Sequence, residues 1–233
     1  MNRSSSELKG MARESLRGHY STPVAALLMI QLAVTLITVT YANFFGSGSS
    51  LIYYAGLIII SLLTCLAEAG YSWLLMKLAR RHPVQPGDIF YPFSHQGDRI
   101  LITTIMKGLL GLACLLPALA ALLFVSLYPG LLWLKLLALF LFLAGIVGSV
   151  IVELAYSLTT YICLDVPELT STEVMKTSRE LTEGKRFRLF YLEISFLGLG
   201  LLSVLTCYVG LLWLLPYMET AKIHFYRELN GEI

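Results

Sequence analysis

Residues 131–164 read LLWLKLLALFLFLAGIVGSVIVELAYSLTTYICL, an apolar run whose only charges are Lys135 and Glu153. A helix needs about 20 predominantly apolar residues to cross a hydrocarbon core, so this run can span one with residues to spare. Working outward, similar stretches run from Val24 to Ala42, Leu51 to Leu78 and Ile100 to Tyr128, with a fifth from Leu189 to Thr206. Tyr208 to Tyr226 is apolar at Leu211-Leu212-Trp213-Leu214-Leu215 but interrupted by Pro216, Glu219, Lys222 and His224, and reads as a short sixth span. Composition agrees: 57% of the 233 residues are hydrophobic, 14% are charged, and the mean hydropathy is +0.73. Soluble domains carry about a quarter charged residues, so this chain in water would expose an apolar surface that water does not tolerate. The expected fold class is all-α, a polytopic helical membrane bundle of about six spans.

The net charge of +2 is too small to suggest a nucleic-acid partner, so the placement of charge is the informative part. Arg3, Lys9, Arg13 and Arg17 precede the first span, Lys77, Arg80, Arg81 and Arg99 flank the second connection, and Lys176, Arg179, Lys185, Arg186 and Arg188 fill the fourth. Asn43 to Ser50 and the Tyr128-Pro129-Gly130 turn carry no base. The positive-inside bias puts the N-terminus in the cytoplasm, and a returning last segment brings Lys222 and Arg227 there too. The apolar run after Tyr20 is longer than a signal h-region and lacks a clean cleavage site, so it is expected to stay as the first span. Gly46-Ser47-Gly48-Ser49 reads as a flexible loop.

Each basic connection carries a short helix signal. Ser4-x-x-Glu7 is a capping box stopped by Gly18, Thr170-x-x-Glu173 is another stopped by Gly184, and Pro86-Gly87-Asp88 opens a turn into Ile89 to Phe93. Amphipathic pieces of this kind are expected at the cytoplasmic interface, held by apolar burial and by Lys/Arg attraction to anionic lipid. Arg80, Arg81, Lys185, Arg186 and Arg188 are the expected headgroup contacts. The expected partners are membrane lipids, a partner membrane protein or a second copy of the chain.

Two stretches match in class and spacing: Thr64-x-x-x-Glu68-x-x-Tyr71-Ser72 and Ser149-x-x-x-Glu153-x-x-Tyr156-Ser157. After each come a proline (Pro83, Pro167) and then Gly97-Asp98-Arg99 or Gly184-Lys185-Arg186. This suggests a duplicated span-loop-span unit, parallel because both copies leave on the cytoplasmic side. Residues four apart share a helix face, so Thr64, Glu68 and Ser72 form one polar ridge, and Gly145, Ser149, Glu153 and Ser157 another. Counted from the inner ends of their spans, Glu68 and Glu153 are expected near the midplane, where an ionisable group marks a site or a buried pair. Lys107 and Glu193 fall at similar depth, so a structural network with Tyr71 and Tyr156 and an ion or proton pathway are both open. Glu219 and Lys135, near span ends, are expected at the headgroups.

Catalytic chemistry finds few parts. Asp88, Asp98 and Asp165 all lie in connections, His19, His82 and His95 are likewise outside the spans, and no histidine pair is placed for zinc. No phosphate-binding glycine loop is present. Cys65, Cys114, Cys163 and Cys207 stand far apart and read as small hydrophobes. A non-enzymatic protein without cofactor or metal is expected.

Tyr156-Ser-Leu-Thr-Thr-Tyr161, Asp165-Val-Pro167, Glu173-Val-Met-Lys-Thr-Ser178-Arg-Glu-Leu181, Gly184-Lys185, Leu189-Phe190, Ser195-Phe196-x-Gly198, Leu211-Leu-Trp213-x-x-Pro216-Tyr217 and Phe225-Tyr226 together resemble the bacterial integral membrane family called domain of unknown function 975. The opening Glu7-Leu-Lys9-x-x-Ala12-Arg13-x-x-Leu16 with Gly18-x-Tyr20 is similar to the start of that family. The resemblance implies a multi-pass protein of the bacterial cytoplasmic membrane and supplies no activity. From the residues, the leading expectation is a protein that binds lipid or a partner membrane protein. The other is a small transporter or proton/cation pathway through Glu68 and Glu153, with hydroxyls from Thr64, Ser149, Tyr71 and Tyr156.

Overall fold

Helices carry the chain from end to end. In a computed structural model that describes residues 3–46, 51–128 and 130–233, no strand forms among the described residues. The expected loop residues Ser47, Gly48 and Ser49, and Pro129 of the expected turn, lie outside the described residues.

Helix α1 (Ser5–Leu16) starts on its capping box: the Ser4 hydroxyl accepts from the Glu7 amide, and the Glu7 carboxylate accepts from the Ser4 amide. Helices α2 (Ser21–Phe45) and α3 (Leu51–Ala79) form the first hairpin. The second connection holds a 3-10 helix (Pro86–Phe90) and α4 (Tyr91–Ser94). Helices α5 (Gly97–Leu127) and α6 (Leu132–Ala155) form the second hairpin, followed after a break by α7 (Thr159–Asp165). Helix α8 (Ser171–Thr182) begins on the Thr170/Glu173 box. Helices α9 (Arg186–Ile194) and α10 (Leu197–Leu205) make one interrupted rod, and α11 (Leu211–Leu229) turns back along it.

Five units are long and apolar enough to cross a membrane: residues 21–45, 51–79, 97–127, 132–165 and 186–205. Helix α11 is not among them, yet it runs antiparallel to the fifth. Arg188 meets Glu228 at 3.0 Å and Lys222 meets Glu193 at 2.8 Å, and left-handed Cys207 and Tyr208 (φ 51° and 66°) make the reversal. Helix α11 thus returns to the end from which α9 departs.

The packed core lies at the end carrying the basic connections. Leu74 and Leu75 of α3, Ile162 of α7, Leu189 of α9 and Ile223 and Phe225 of α11 are almost wholly buried there. Elsewhere the helices present an apolar belt. On α6 the exposed large apolar side chains run from Leu132 to Ile151, which at 1.5 Å per residue is about 30 Å, one hydrocarbon thickness. On α3 they stop at Leu63 and on α11 at Leu215. Glu68, Glu153 and Glu219 each follow the last exposed large apolar side chain of their own helix toward the basic end, while on α5 exposed Ile102 and Ile105 continue past Lys107, the partner of Glu153. The far end of the long apolar run faces protein: Tyr161, Ile162, Cys163 and Leu164 of α7 are buried, and composition does not separate a residue facing lipid from one facing core.

Within the second hairpin, a Cβ on Gly145 would stand 2.9 Å from the Cys114 carbonyl oxygen, so the close approach of α6 to α5 requires glycine there. One turn on, the Ser149 hydroxyl donates to the Gly111 carbonyl at 3.2 Å, a small polar side chain tying two apolar helices.

The amphipathic helices at the basic end do not spend their apolar faces on lipid. Leu8, Ala12 and Leu16 of α1 and Val174 and Met175 of α8 are buried against the bundle, α1 chiefly on α11 and α8 on α7 and α5. This corrects the expectation that apolar burial in the interface holds them. Helix α8 also repairs a backbone defect. Where α6 breaks, the Thr159 amide bonds Tyr156 (3.4 Å), leaving the Ala155 carbonyl to accept from the hydroxyls of Ser178 (3.0 Å) and Thr182 (3.2 Å). At the other break, between α9 and α10, the Lys9 ammonium donates to the Ser195 carbonyl at 2.8 Å and lies 4.2 Å from the Phe196 ring centroid. The stretches matched in sequence differ here: α3 runs unbroken through Tyr71 and Ser72, whereas Tyr156 and Ser157 occupy a helix break.

Candidate functional site

Helix α3 is held in one rotation by the second connection folded against it. A Cβ on Gly70 would fall 1.8 Å from the Ile89 carbonyl oxygen, Trp73 stacks on Tyr91 at 4.6 Å, and Lys77 pairs with Asp88 at 2.9 Å. The neighbouring face of α3, carrying Glu68, Tyr71 and Ser72, is thereby aimed into a cavity of about 370 Å³ shared with α2, α5, α7 and α11. Helix α11 contributes Glu219, α5 contributes Thr104 and Lys107, and α2 contributes Gln31 with Leu27 and Ile30.

Charge at this level does not balance. Lys107 is held by Glu153 at 2.7 Å, and Lys222 by Glu193 at 2.8 Å. Among the described residues Glu68 and Glu219 have no cation at salt-bridge distance, although both line the same cavity and their charges act on each other. Glu219 accepts from the Ser72 hydroxyl at 2.8 Å and from Tyr161 at 2.9 Å. Glu68, an exposed residue, makes no hydrogen bond or ion pair among the described residues. The Tyr71 hydroxyl is orphaned too: the residue is 7% exposed, and its oxygen has no partner. Burying a polar group without a partner is costly, so this cavity holds polar capacity that the protein itself leaves unused.

The expected site residues thus separate. Glu68, Tyr71 and Lys107 line the cavity, and Glu153 reaches it only through Lys107. Glu193 serves Lys222. Thr64 bonds its own helix at Ile60, Ser149 joins α6 to α5, and Tyr156 sits in the break between α6 and α7. Sequence reasoning missed Glu219, placing it at the headgroups, and passed over Gln31 and Tyr161. The available signal was the spacing of Glu219 and Lys222, three residues apart and so on nearly one face of the helix, just after the apolar run Leu211–Leu215.

The expected headgroup bases separate as well. Arg80 is spent inside the protein, bidentate on Asp165 at 2.7 and 2.8 Å and on Glu232, which also accepts from Arg227. The Tyr226 hydroxyl adds a bond to Asp165 at 3.0 Å, so the C-terminus is clamped to the ends of α3 and α7. Hydrogen bonds to Asp165 and Glu232 hold the Arg80 guanidinium charged even more firmly than usual. Partial burial works to raise the Glu232 carboxyl, but hydrogen bonds from Arg80 and Arg227 outweigh it and bring it down to about 2. Arg188 is likewise bound to Glu228 and to the Arg3 carbonyl. The acids that claim Arg80 and Arg188 lie far off in sequence, which is why spacing assigned these bases to lipid. Arg81, paired with exposed Glu14 at 2.9 Å, and partly exposed Lys185 and Arg186 remain at the surface.

No curated protein and no solved structure matches the chain. A family model does: that described as Protein of unknown function (DUF975) matches residues 1–232, and the chain belongs to that family.

Proposed function

We propose that this is a non-enzymatic, multi-pass protein of the bacterial cytoplasmic membrane that binds a membrane lipid or similar amphiphile through the cavity between α3 and α11. The observation that carries the reading is the pair of carboxylates, Glu68 and Glu219, that share the cavity toward the basic edge of the apolar belt with no cation at salt-bridge distance among the described residues, Lys107 on its wall being held by Glu153. A lipid headgroup reaches that edge, and its tail continues beside Leu27 and Ile30. The distribution of Lys and Arg supports a cytoplasmic basic end, with both termini inside. The matched Glu68 and Glu153 stretches remain the support for an internal duplication.

The test is native mass spectrometry of the full chain released from nanodiscs of total membrane lipid. Wild type is expected to retain a stoichiometric amphiphile that the double variant Glu68→Gln, Glu219→Gln loses. Identical lipid profiles from the two, both correctly folded, would overturn the reading. A second reading, a proton or cation pathway, is favoured by the way Lys222 feels Glu193, Glu219 and Glu153 together, which links the charged groups in series. Currents evoked by pH or cation jumps on a solid-supported membrane, lost in Glu68→Gln, would select it.

A further inference from the structure

We infer that the group recognised in the cavity is a primary ammonium, seated between Glu68 and Glu219 with the Tyr71 hydroxyl as a further acceptor. The inference rests on the amphiphile-binding reading and names the chemistry of its ligand.

The acceptors are in excess. Among the described residues exposed Glu68 has both carboxylate oxygens unused, Glu219 has one oxygen that receives no hydrogen bond, and the Tyr71 hydroxyl oxygen is unpartnered although the residue is more than nine-tenths buried. The cations nearest at hand, Lys107 and Lys222, already serve other carboxylates. A ligand that satisfies this set must bring positive charge together with several N–H donors. A primary ammonium brings three, directed tetrahedrally. A quaternary ammonium brings charge without donors and leaves the Tyr71 hydroxyl a buried polar group without a partner.

Size separates the ammonium from smaller cations. A cavity of about 370 Å³ has room for many water-sized groups, far more than a proton or bare metal ion fills. Among the described residues no three His, Cys, Asp or Glu side chains group to hold a metal. The rest of the lining fits a short organic chain: Leu27, Ile30 and Leu215 are apolar, and Lys107 stands at the wall with its ammonium available to an anionic oxygen in addition to Glu153. A headgroup carrying an ammonium a few bonds from a phosphate fits that order of charges. The same ammonium chemistry is offered by a soluble amine such as ethanolamine or a polyamine, and the two sources are separable by experiment.

The full chain would be reconstituted in nanodiscs of phosphatidylglycerol doped with equal phosphatidylethanolamine and phosphatidylcholine, and the retained lipids read by native mass spectrometry. Retention of the ethanolamine lipid at least tenfold over the choline lipid is expected in wild type, falling to near parity in Glu68→Gln and reduced several-fold in Tyr71→Phe. Competition by soluble ethanolamine or spermidine, without retention of any lipid, would support the ammonium while overturning the lipid reading. Retention of phosphatidylglycerol or phosphatidylcholine at parity with the ethanolamine lipid would overturn the ammonium while leaving lipid binding in place. The wild-type headgroup ratio needs no variant, so a substitution that fails to fold does not blunt the test.

Discussion

Individual side chains in this protein mostly answer to partners far away in the chain. Glu232 is the clearest case: its carboxyl ordinarily titrates near 4.5 and is held at about 2 by Arg80 and Arg227. A folded-state value below the unfolded one stabilises the fold above the unfolded value, and that stability is lost as pH falls through the window from 4.5 to about 2. Wild type is therefore expected to lose thermal stability across that window more steeply than Glu232→Gln, measured by unfolding in detergent at stepped pH. Ser178 gives a second handle. Its hydroxyl and that of Thr182 are the only donors seen at the Ala155 carbonyl among the described residues, and both residues are fully buried. Ser178→Ala is expected to cost about 1 kcal/mol, and Ser178→Ala with Thr182→Val about 1–3 kcal/mol, because only the double change orphans the carbonyl. Neither role was legible in sequence. Ser178 was visible only as a polar position on an amphipathic helix, and nothing local announces that a carbonyl 23 residues earlier needs it.

At the scale of elements, what is local was readable. Both capping boxes formed as written, because their partners lie three residues apart. Gly18 and Gly184 follow their helices with positive φ (82° and 70°), and α7 ends at Asp165 ahead of Pro167. The break at Tyr156 to Leu158 was not readable, since it contains neither Pro nor Gly and is sustained by α8 from outside. The fold of the second connection onto α3 was also hidden, resting on Gly70, one small residue in an apolar helix. Gly70→Ala would set a methyl against the Ile89 backbone, where no rotamer relieves it. Overpacking of this kind costs about 1–3 kcal/mol or more, and accelerated proteolysis between residues 80 and 96 is the expected readout. Unchanged cleavage would mean that the second connection does not depend on this contact.

For the whole molecule, three hairpins join at a packed basic end, while their apolar lengths face outward. The helical class and the five long apolar units were legible because apolar length sets them, whereas the expected short sixth span, α11, is not among the helices long and apolar enough to cross a membrane. Which part of the run 131–164 faces protein was not legible, since it joins outward-facing α6 to buried α7. The antiparallel pairing of α11 with α9 and α10 implies that both chain ends share a side. In a chain stripped of its own cysteines, Ser5→Cys and Asn230→Cys are expected to react with an impermeant maleimide only after vesicle lysis. Phe45→Cys is expected to react in intact right-side-out vesicles. Reaction of Asn230→Cys alone from outside would mean that α11 does not return.

Among the described residues Glu68 stands free of any cation whereas Glu153 and Glu193 are paired. The most direct measurement is intact-mass and peptide mapping after treating nanodisc-embedded protein with an apolar carbodiimide, to which a protonated carboxyl adds, passing its proton to the carbodiimide nitrogen and ending as an N-acylurea, whereas an ion-paired carboxylate does not. The account predicts labelling concentrated on Glu68, with Glu153 and Glu193 spared. Labelling of Glu153 or Glu193 as fast as Glu68, or no labelling of Glu68 in any lipid, would contradict it.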